Sequence, residues 1–225
     1  MLQVPLGWPD PKARPLVKIC GLSDPLTAFS AVKSGADMIG LVYFEPSPRH
    51  IGPDIARDVA TAVRGTTFVV LLTVDASDKE LDTLVRRVAP DALQLHGSET
   101  PERAKTLGAR YDLPVSKAIG VAAPEDLFRA NQYPDSLLLV DAKPPAGATR
   151  PGGLGATFDW SMLTALDRRR GFMLSGGLDA TNVGEAVRRV RPYAVDVSSG
   201  VETAGKKDTA KIKKFIDAVG FAAKS

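Results

Sequence analysis

Eight short runs of β-branched and aliphatic residues, each followed by a longer stretch of helical periodicity, leave this 225-residue chain few ways to fold. The strand candidates are Leu16–Cys20, Met38–Phe44, Phe68–Val74, Ala92–His96, Val115–Gly120, Leu137–Ala142, Phe172–Gly176 and Ala194–Ser199. Helical patterns lie between them, among them Pro25–Ser34, Pro53–Arg64, Asp78–Val88 and Thr181–Val190, with a last one over Asp208–Val219. Ser23, Asp78 and Asp179 or Thr181 suit N-caps, and Pro25, Pro53 and Pro124 suit first-turn positions. Strands that alternate with helices pair in parallel, and eight such units can close into a barrel. The spacing of about 28 residues per unit is near that typical of this fold. An open doubly wound sheet is the rival arrangement, but no G-x-G-x-x-G follows the first strand. The expected architecture is therefore α/β, a single (β/α)₈ TIM barrel over residues 15–225 with a parallel eight-stranded barrel and outer helices. Residues 1–14, with Pro5, Pro9 and Pro11, read as a loose N-terminal extension.

Composition narrows the functional classes. Apolar residues make up 44% and charged residues 24%, as in ordinary globular domains. The net charge of +3 comes from Lys and Arg spread among acids, and aromatics are only 6%. Nucleic-acid binding would need a basic stripe with stacking platforms, and neither is in view. A mild positive balance suits a small anionic substrate. No apolar run nears the ~20 residues of a membrane span, and the N-terminus lacks the charged start and apolar centre of a secretory signal. The single cysteine permits no internal disulfide, so a cytoplasmic location is expected. One cysteine and two histidines supply no spaced metal cluster. The pattern does not set the oligomeric state, and a homodimer stays open.

In such a barrel the active site lies at the C-terminal ends of the strands. Strand one ends in Val17-Lys18-Ile19-Cys20-Gly21, where alternation turns Lys18 and Cys20 inward. A lone cysteine is ordinarily a small buried hydrophobe. At a strand's catalytic end it is also a candidate base, active only as thiolate and in need of a cation such as Lys18 or of partial desolvation to tune it. Lys18 has a second reading, as an interior lysine paired to a carboxylate. Asp141 ends the apolar run of strand six, a costly place for an acid unless it is solvated or paired. It suits a general acid facing Cys20 across the barrel, or else an ion-pair partner or helix cap. Gln94 and His96 share the inward face of strand four, with His96 a pocket residue or a hydrogen-bonded structural histidine. Pro46 and Pro48 stiffen the loop after strand two, which can hold the planar fork of Arg49 toward a carboxylate or phosphate; a solvated surface arginine is the alternative. Strands seven and eight end in Ser175-Gly176-Gly177 and Asp196-Val197-Ser198-Ser199-Gly200. Glycines there let the backbone approach, and serines add hydroxyls, as a phosphate cradle requires. The glycine-rich segment 144–155 lacks Gly-Lys-Ser or Gly-Lys-Thr and reads as a mobile lid anchored by Phe158 and Trp160, with a disordered linker as the alternative.

Taken in order, several pieces resemble one family. They are Lys18-Ile19-Cys20-Gly21, Ser47-Pro48-Arg49, Leu93-Gln94-Leu95-His96-Gly97 and Leu139-Val140-Asp141-Ala142. Gly152-Gly153 with Gly155, Phe158-Asp159-Trp160, Ser175-Gly176-Gly177-Leu178 and Asp196-Val197-Ser198-Ser199-Gly200-Val201-Glu202 follow. Together they resemble the phosphoribosylanthranilate isomerases of tryptophan biosynthesis, from Leu16 to about Phe215, with the N-terminal extension and Leu154 as departures. The resemblance implies an Amadori rearrangement, of aldose–ketose type, of N-(5-phosphoribosyl)anthranilate to 1-(2-carboxyphenylamino)-1-deoxyribulose 5-phosphate, without cofactor or metal. It implies Asp141 as the general acid on the ribose ring oxygen and Cys20 as the base at C2. Arg49 would hold the anthranilate carboxylate. Gly176, Gly177, Ser198, Ser199 and Gly200 would hold the phosphate, and Gln94, His96 and Asp196 would orient the ribose. One rival is another sugar-phosphate Amadori isomerase, such as the histidine-pathway enzyme, which resembles a two-carboxylate arrangement with an aspartate where Cys20 stands. The other is a non-catalytic phosphate-binding barrel.

Overall fold

The computed structural model describes residues 3–11, 13–143, 147, 157–167 and 169–224. The strands are β1 (Leu16–Cys20), β2 (Met38–Tyr43), β3 (Phe68–Thr73), β4 (Ala92–Leu95), β5 (Val115–Val121), β6 (Leu137–Ala142), β7 (Phe172–Leu174) and β8 (Ala194–Val197). Each pairs in parallel with its neighbour, and β1 pairs with β8, so the expected barrel is closed and has no free edge. Strands β2, β3, β4, β7 and β8 stop one or two residues before their apolar runs do, because those last residues leave the ladder for the mouth.

Alternation along each strand sorts the side chains into layers. Val17, Ile19, Ile39, Leu71, Val140 and Val195 point outward and belong to the main core beneath the helices. Leu16, Met38, Val70, Leu139, Met173 and Ala194 fill the lower interior. Cys20, Val42 and Leu72, with Phe44 and Val74, form a small upper cluster. The barrel is packed below and concave above.

The outer layer is α1 (Pro25–Lys33), α2 (Pro53–Val63), α3 (Asp78–Val88), α4 (Pro101–Tyr111), α5 (Val183–Val190) and α6 (Thr209–Ala222). Two caps fall one residue from the expected ones. Asp24, not Ser23, accepts from the Thr27 N–H, because a proline at the first helical position makes the preceding residue the cap. Ser77, not Asp78, forms a reciprocal capping box with Glu80. Before α5, Asp179 takes the N–H groups of Thr181 and Asn182, and the helix begins only at Val183. Against the eight helices that the alternation implies, the described residues hold six α-helices, with 3₁₀ turns at Pro124–Gln132 and Trp160–Ala165. Pro124 and Pro134 bracket the first turn, and Asp126 folds back onto the N–H groups of Ala122 and Ala123.

Residues 3–11 are not the loose extension that their prolines suggest. Trp8 belongs to the lower cluster, with its ring 5.5 Å from that of Phe68. The Tyr193 hydroxyl donates to the Pro9 carbonyl, and Gln3 exchanges backbone hydrogen bonds with Arg169 and Gly171. The apolar floor of the barrel needs a cover, and this segment supplies one. The segment read as a lid, 144–155, lies outside the described residues except for Gly147.

Trp8→Ala is expected to lower the free energy of unfolding by about 3 kcal/mol, as for other buried aromatics, because it empties the floor. Any kcat and KM should stay within about twofold of the parent, since the active site expected of such a barrel is at the other end. Denaturant unfolding beside steady-state kinetics checks this, and a loss of activity at unchanged stability would refute it.

Candidate active site

At the upper rim, Cys20 on β1, Asp141 on β6, Gln94 on β4 and Asp196 on β8 line one cavity. Arg49, His96 and Ser198 join them from the loops beyond β2, β4 and β8, and Val42, Phe44, Leu72 and Val74 make an apolar side. Counting around the ring through β8 and β7, β6 is the third strand from β1, so Cys20 and Asp141 face each other from nearly opposite walls.

The ground beneath the thiol is ionic. Lys18 Nζ donates to Asp196 Oδ1 at 2.8 Å, with side chains only 0% and 6% exposed. The other Asp196 oxygen accepts from Ser175 Oγ at 3.1 Å. Both readings of Lys18 therefore hold at once, because the paired lysine also sits against Cys20. Asp196 lines the cavity as expected, but both its oxygens are engaged in holding this floor. Space for the arrangement comes from β2. Gly40 is the ladder partner of Cys20, and a Cβ there would lie 2.6 Å from Cys20 Sγ and 3.0 Å from Lys18 Nζ. Any larger residue would displace the thiol.

Burial pushes the Cys20 thiol up and outweighs the opposing pull of Lys18, while the Asp196 charge adds to the rise. For Lys18, burial works against the charge, yet Asp196 and Cys20 more than offset it and raise its pKa. Burial thus favours the neutral thiol, and Asp196 favours the charged lysine.

On the opposite wall, Asp141 Oδ1 accepts from the Ala142 N–H at 2.8 Å, and Oδ2 lies 3.6 Å from His96 Nε2. His96 Nδ1 is 3.4 Å from Gln94 Nε2, so amide, imidazole and carboxyl form a row. The backbone beyond His96 is pinned from outside the barrel. Glu99 accepts the N–H groups of Asp75 and Gly97, each at 2.9 Å, and pairs with Lys117 at 3.1 Å.

Gly176, Gly177, Ser199 and Gly200 border the cavity rather than line it. Gly176 has φ +87°, and a Cβ on it would meet Ala142 N at 2.7 Å and Asp141 Oδ1 at 3.1 Å. The turn after β7 is thus pressed against the carboxyl wall. A Cβ on Gly200 would lie 1.9 Å from the Leu178 carbonyl, so the loops after β7 and β8 interlock.

Two residues that strand-end reasoning does not mark stand beside Arg49. Its Nε and Nη2 donate to Glu202 Oε1 and Oε2 at 2.7 and 2.9 Å, and Lys207 Nζ donates to the same Oε1 at 2.6 Å. Burial works against the Glu202 charge, but Arg49 and Lys207 outweigh it and hold the carboxyl below its ordinary range. The available signal is the opposite charges flanking Ala204-Gly205. Among the described residues no group of three His, Cys, Asp or Glu side chains is arranged to hold a metal.

A closed (β/α)₈ barrel whose mouth sets a thiol and a carboxyl on facing walls, beside two glycine-bearing loops, is the build of an enzyme that moves protons on a small substrate. A family model for N-(5'-phosphoribosyl)anthranilate isomerase matches residues 17–218. The N-(5'-phosphoribosyl)anthranilate isomerase of Bradyrhizobium sp. (strain BTAi1) is 52% identical over 206 residues, 90% of this chain and 94% of that one. The crystal structure of the Thermotoga maritima enzyme is similar at a TM-score of 0.84 and 39% identity, over 92% of this chain and 99% of that one. That enzyme is described as dimeric. A phosphoribosyl anthranilate isomerase in complex with reduced 1-(o-carboxyphenylamino)-1-deoxyribulose 5-phosphate is similar at a TM-score of 0.81 and 36% identity, over 92% and 99% of the two chains. The chain belongs to the N-(5'-phosphoribosyl)anthranilate isomerase family. Its activity is the aldose–ketose rearrangement of N-(5'-phosphoribosyl)anthranilate in tryptophan biosynthesis.

With a single cysteine in the chain, the thiolate absorbance that is lost in Cys20→Ala reports this residue. Its midpoint is expected above the value of about 8.5 for a free cysteine, and higher still in Lys18→Met, which removes the favourable cation and leaves Asp196 unpaired. A midpoint at or below that of free cysteine would show that burial does not govern this thiol.

Proposed function

We infer that Asp141 and Cys20 divide the proton transfers of the rearrangement, the first as acid and the second as base. What supports this is that both line one cavity from facing walls, with His96 beside the carboxyl and Lys18 beside the thiol. Protonated Asp141 gives its proton to the ribose ring oxygen, the bond from C1 to that oxygen opens, and the anilino lone pair forms an iminium. The cationic nitrogen acidifies the proton on C2. Cys20, as thiolate, takes that proton, and the released electron pair forms the C1–C2 double bond while neutralising the nitrogen. The resulting enolamine becomes the ketone as its hydroxyl loses a proton and C1 gains one. The Cys20 thiol gives its own proton to solvent as the iminium forms, so the steps together pass one proton from Asp141 to solvent and return Cys20 to the thiol, and Asp141 takes a proton back before the next turnover. The iminium also supplies the positive charge that burial denies to the thiolate.

Arg49 holds the anthranilate carboxylate in this reading, and Gly176, Gly177, Ser198, Ser199 and Gly200 hold the phosphate with N–H and hydroxyl groups. Gln94, His96 and Asp196 orient the ribose. In support, Gln94 Oε1 is buried without a hydrogen-bond partner among the described residues, which suits an acceptor for a ribose hydroxyl. The relative that binds the reduced product carries a ligand with a carboxylate at one end and a phosphate at the other. Holding both ends orients the sugar between them. A homodimer, as described for the Thermotoga maritima enzyme, and a cytoplasmic location complete the proposal. No helix among the described residues is long and apolar enough to cross a membrane.

Cys20→Ala and Asp141→Asn should each lower kcat by at least ~10². Loss of substrate fluorescence, with phosphoribosylanthranilate generated in situ, measures it. Near-parental turnover in either purified variant removes that residue from its role. Arg49→Ala should raise KM about tenfold or more with a smaller change in kcat; an unchanged KM would take Arg49 out of the carboxylate site.

A further inference from the structure

The ionic cluster joining the loops after β2 and β8 has more in it than substrate binding by Arg49 requires. Glu202 and Lys207 face each other in a two-stranded hairpin, Glu202–Thr203 against Lys206–Lys207. The two residues between the strands, Ala204 and Gly205, have φ of 50° and 75°, both positive as in a tight type I′ connection. The cross-strand ion pair is therefore set by the turn. Lys207 is anchored further by donating to the Ser198 carbonyl at 2.9 Å and to Ser198 Oγ at 3.1 Å, and that hydroxyl donates to the Cys20 carbonyl at 3.0 Å. The side chains of Arg49, Glu202 and Lys207 are only 11%, 9% and 5% exposed.

Glu202 meets the Nε/Nη2 edge of Arg49 with both oxygens, which fixes the plane of the guanidinium as well as its distance. The stem is fixed from the other side. A Cβ on Gly21, the residue after Cys20, would lie 2.6 Å from Arg49 Cδ, so the arginine lies tightly across the end of β1. This precision has an electrostatic cost, because a carboxylate paired to Arg49 cancels the charge that should attract a carboxylate ligand. Lys207 removes that cost. With two cations around one anion, the cluster keeps a net positive charge at a nearly buried site, where charge is poorly screened.

We propose that Glu202 and Lys207 are positioning residues for substrate binding: Glu202 aims the Arg49 guanidinium at the mouth, and Lys207 offsets the Glu202 charge so that the aimed arginine still attracts the aromatic carboxylate. The inference rests on Arg49 as the carboxylate holder and adds what makes it effective. Glu202→Gln loosens the aim but adds positive charge, so its effect is small. Lys207→Met leaves a neutral Arg49–Glu202 pair, so its effect is large. Glu202→Gln added to Lys207→Met restores one net positive charge and recovers part of the loss.

The test is the affinity of the full-length chain for two probes. One is reduced 1-(2-carboxyphenylamino)-1-deoxyribulose 5-phosphate, and the other is the same molecule with phenyl in place of carboxyphenyl. For the carboxylated probe, Lys207→Met should weaken binding more than about tenfold, Glu202→Gln about threefold, and the double variant less than Lys207→Met alone. Lys207→Arg should stay within about threefold of the parent. For the phenyl probe all variants should bind within about twofold of the parent. Equal losses for both probes would mean that the cluster merely supports the fold, and an unchanged affinity in Lys207→Met would mean that its charge is irrelevant; either overturns the proposal. Arg49→Ala separates the two levels of inference. If it fails to discriminate the probes, the carboxylate assignment itself falls; if it discriminates while Lys207→Met does not, only the proposal for the cluster falls.

Discussion

The buried ion pair between Lys18 and Asp196 carries more of this molecule than its single hydrogen bond suggests. The two residues are ladder partners across the β1–β8 seam, where the barrel closes, and they lie directly below the rim. Removing one partner of such a pair leaves an uncompensated buried charge, a loss of about 3–5 kcal/mol in comparable cases. A hydrophobic pair in the same place could close the seam equally well. It could not put a cation against the Cys20 sulfur, nor accept the Ser175 hydroxyl that ties β7 to β8. Closure of the fold and placement of a cation at the thiol are thus the same contact, and Gly40 is the vacancy in the neighbouring strand that lets both fit.

Along the barrel axis, stability and chemistry are kept apart. The lower interior is apolar and sealed by Trp8, whereas polar side chains enter only from the level of Lys18, Gln94 and Asp196 upward. Above that level the loops are restrained by long-range polar contacts. Glu99 and Lys117 hold the loop beyond β4, Gly200 against Leu178 locks the loops of β7 and β8, and Glu202 ties the loop of β2 to that of β8. Short strands with long loops would otherwise leave Arg49, His96 and Ser198 on the least ordered parts of the chain.

The sequence showed the barrel clearly because its strands are buried on both faces and read as unbroken apolar runs. Alternation then turned Lys18 and Cys20 inward, and the acid ending β6 stood out against Leu137, Leu138 and Leu139. What local pattern could not reveal was set by contacts distant in sequence. Glu202 becomes a partner of Arg49 only because β8 returns beside β1 and β2, a separation of 153 residues. Asp196 reads as a pocket residue, and only the closed seam shows that it is also the partner of Lys18. Trp8 sat among prolines that signal loose chain, and only the apolar floor explains its burial. The shift of the first cap from Ser23 to Asp24 had a nearer cause, since the proline at position 25 selects its own predecessor.

The charges of the mouth fit the order of events that the proposed chemistry needs. Lys18 and Asp196 cancel, and Arg49, Glu202 and Lys207 leave one positive charge. A resting thiolate would cancel that remainder and oppose a substrate bearing both a carboxylate and a phosphate. Burial instead favours the neutral thiol while the anions bind. The thiolate is required only after the ring opens, and at that moment the substrate itself becomes cationic at nitrogen next to the proton to be removed. A raised thiol pKa is therefore no defect in the base. It defers ionisation to the step that stabilises it, and it makes a stronger acceptor of the C2 proton once that step is reached.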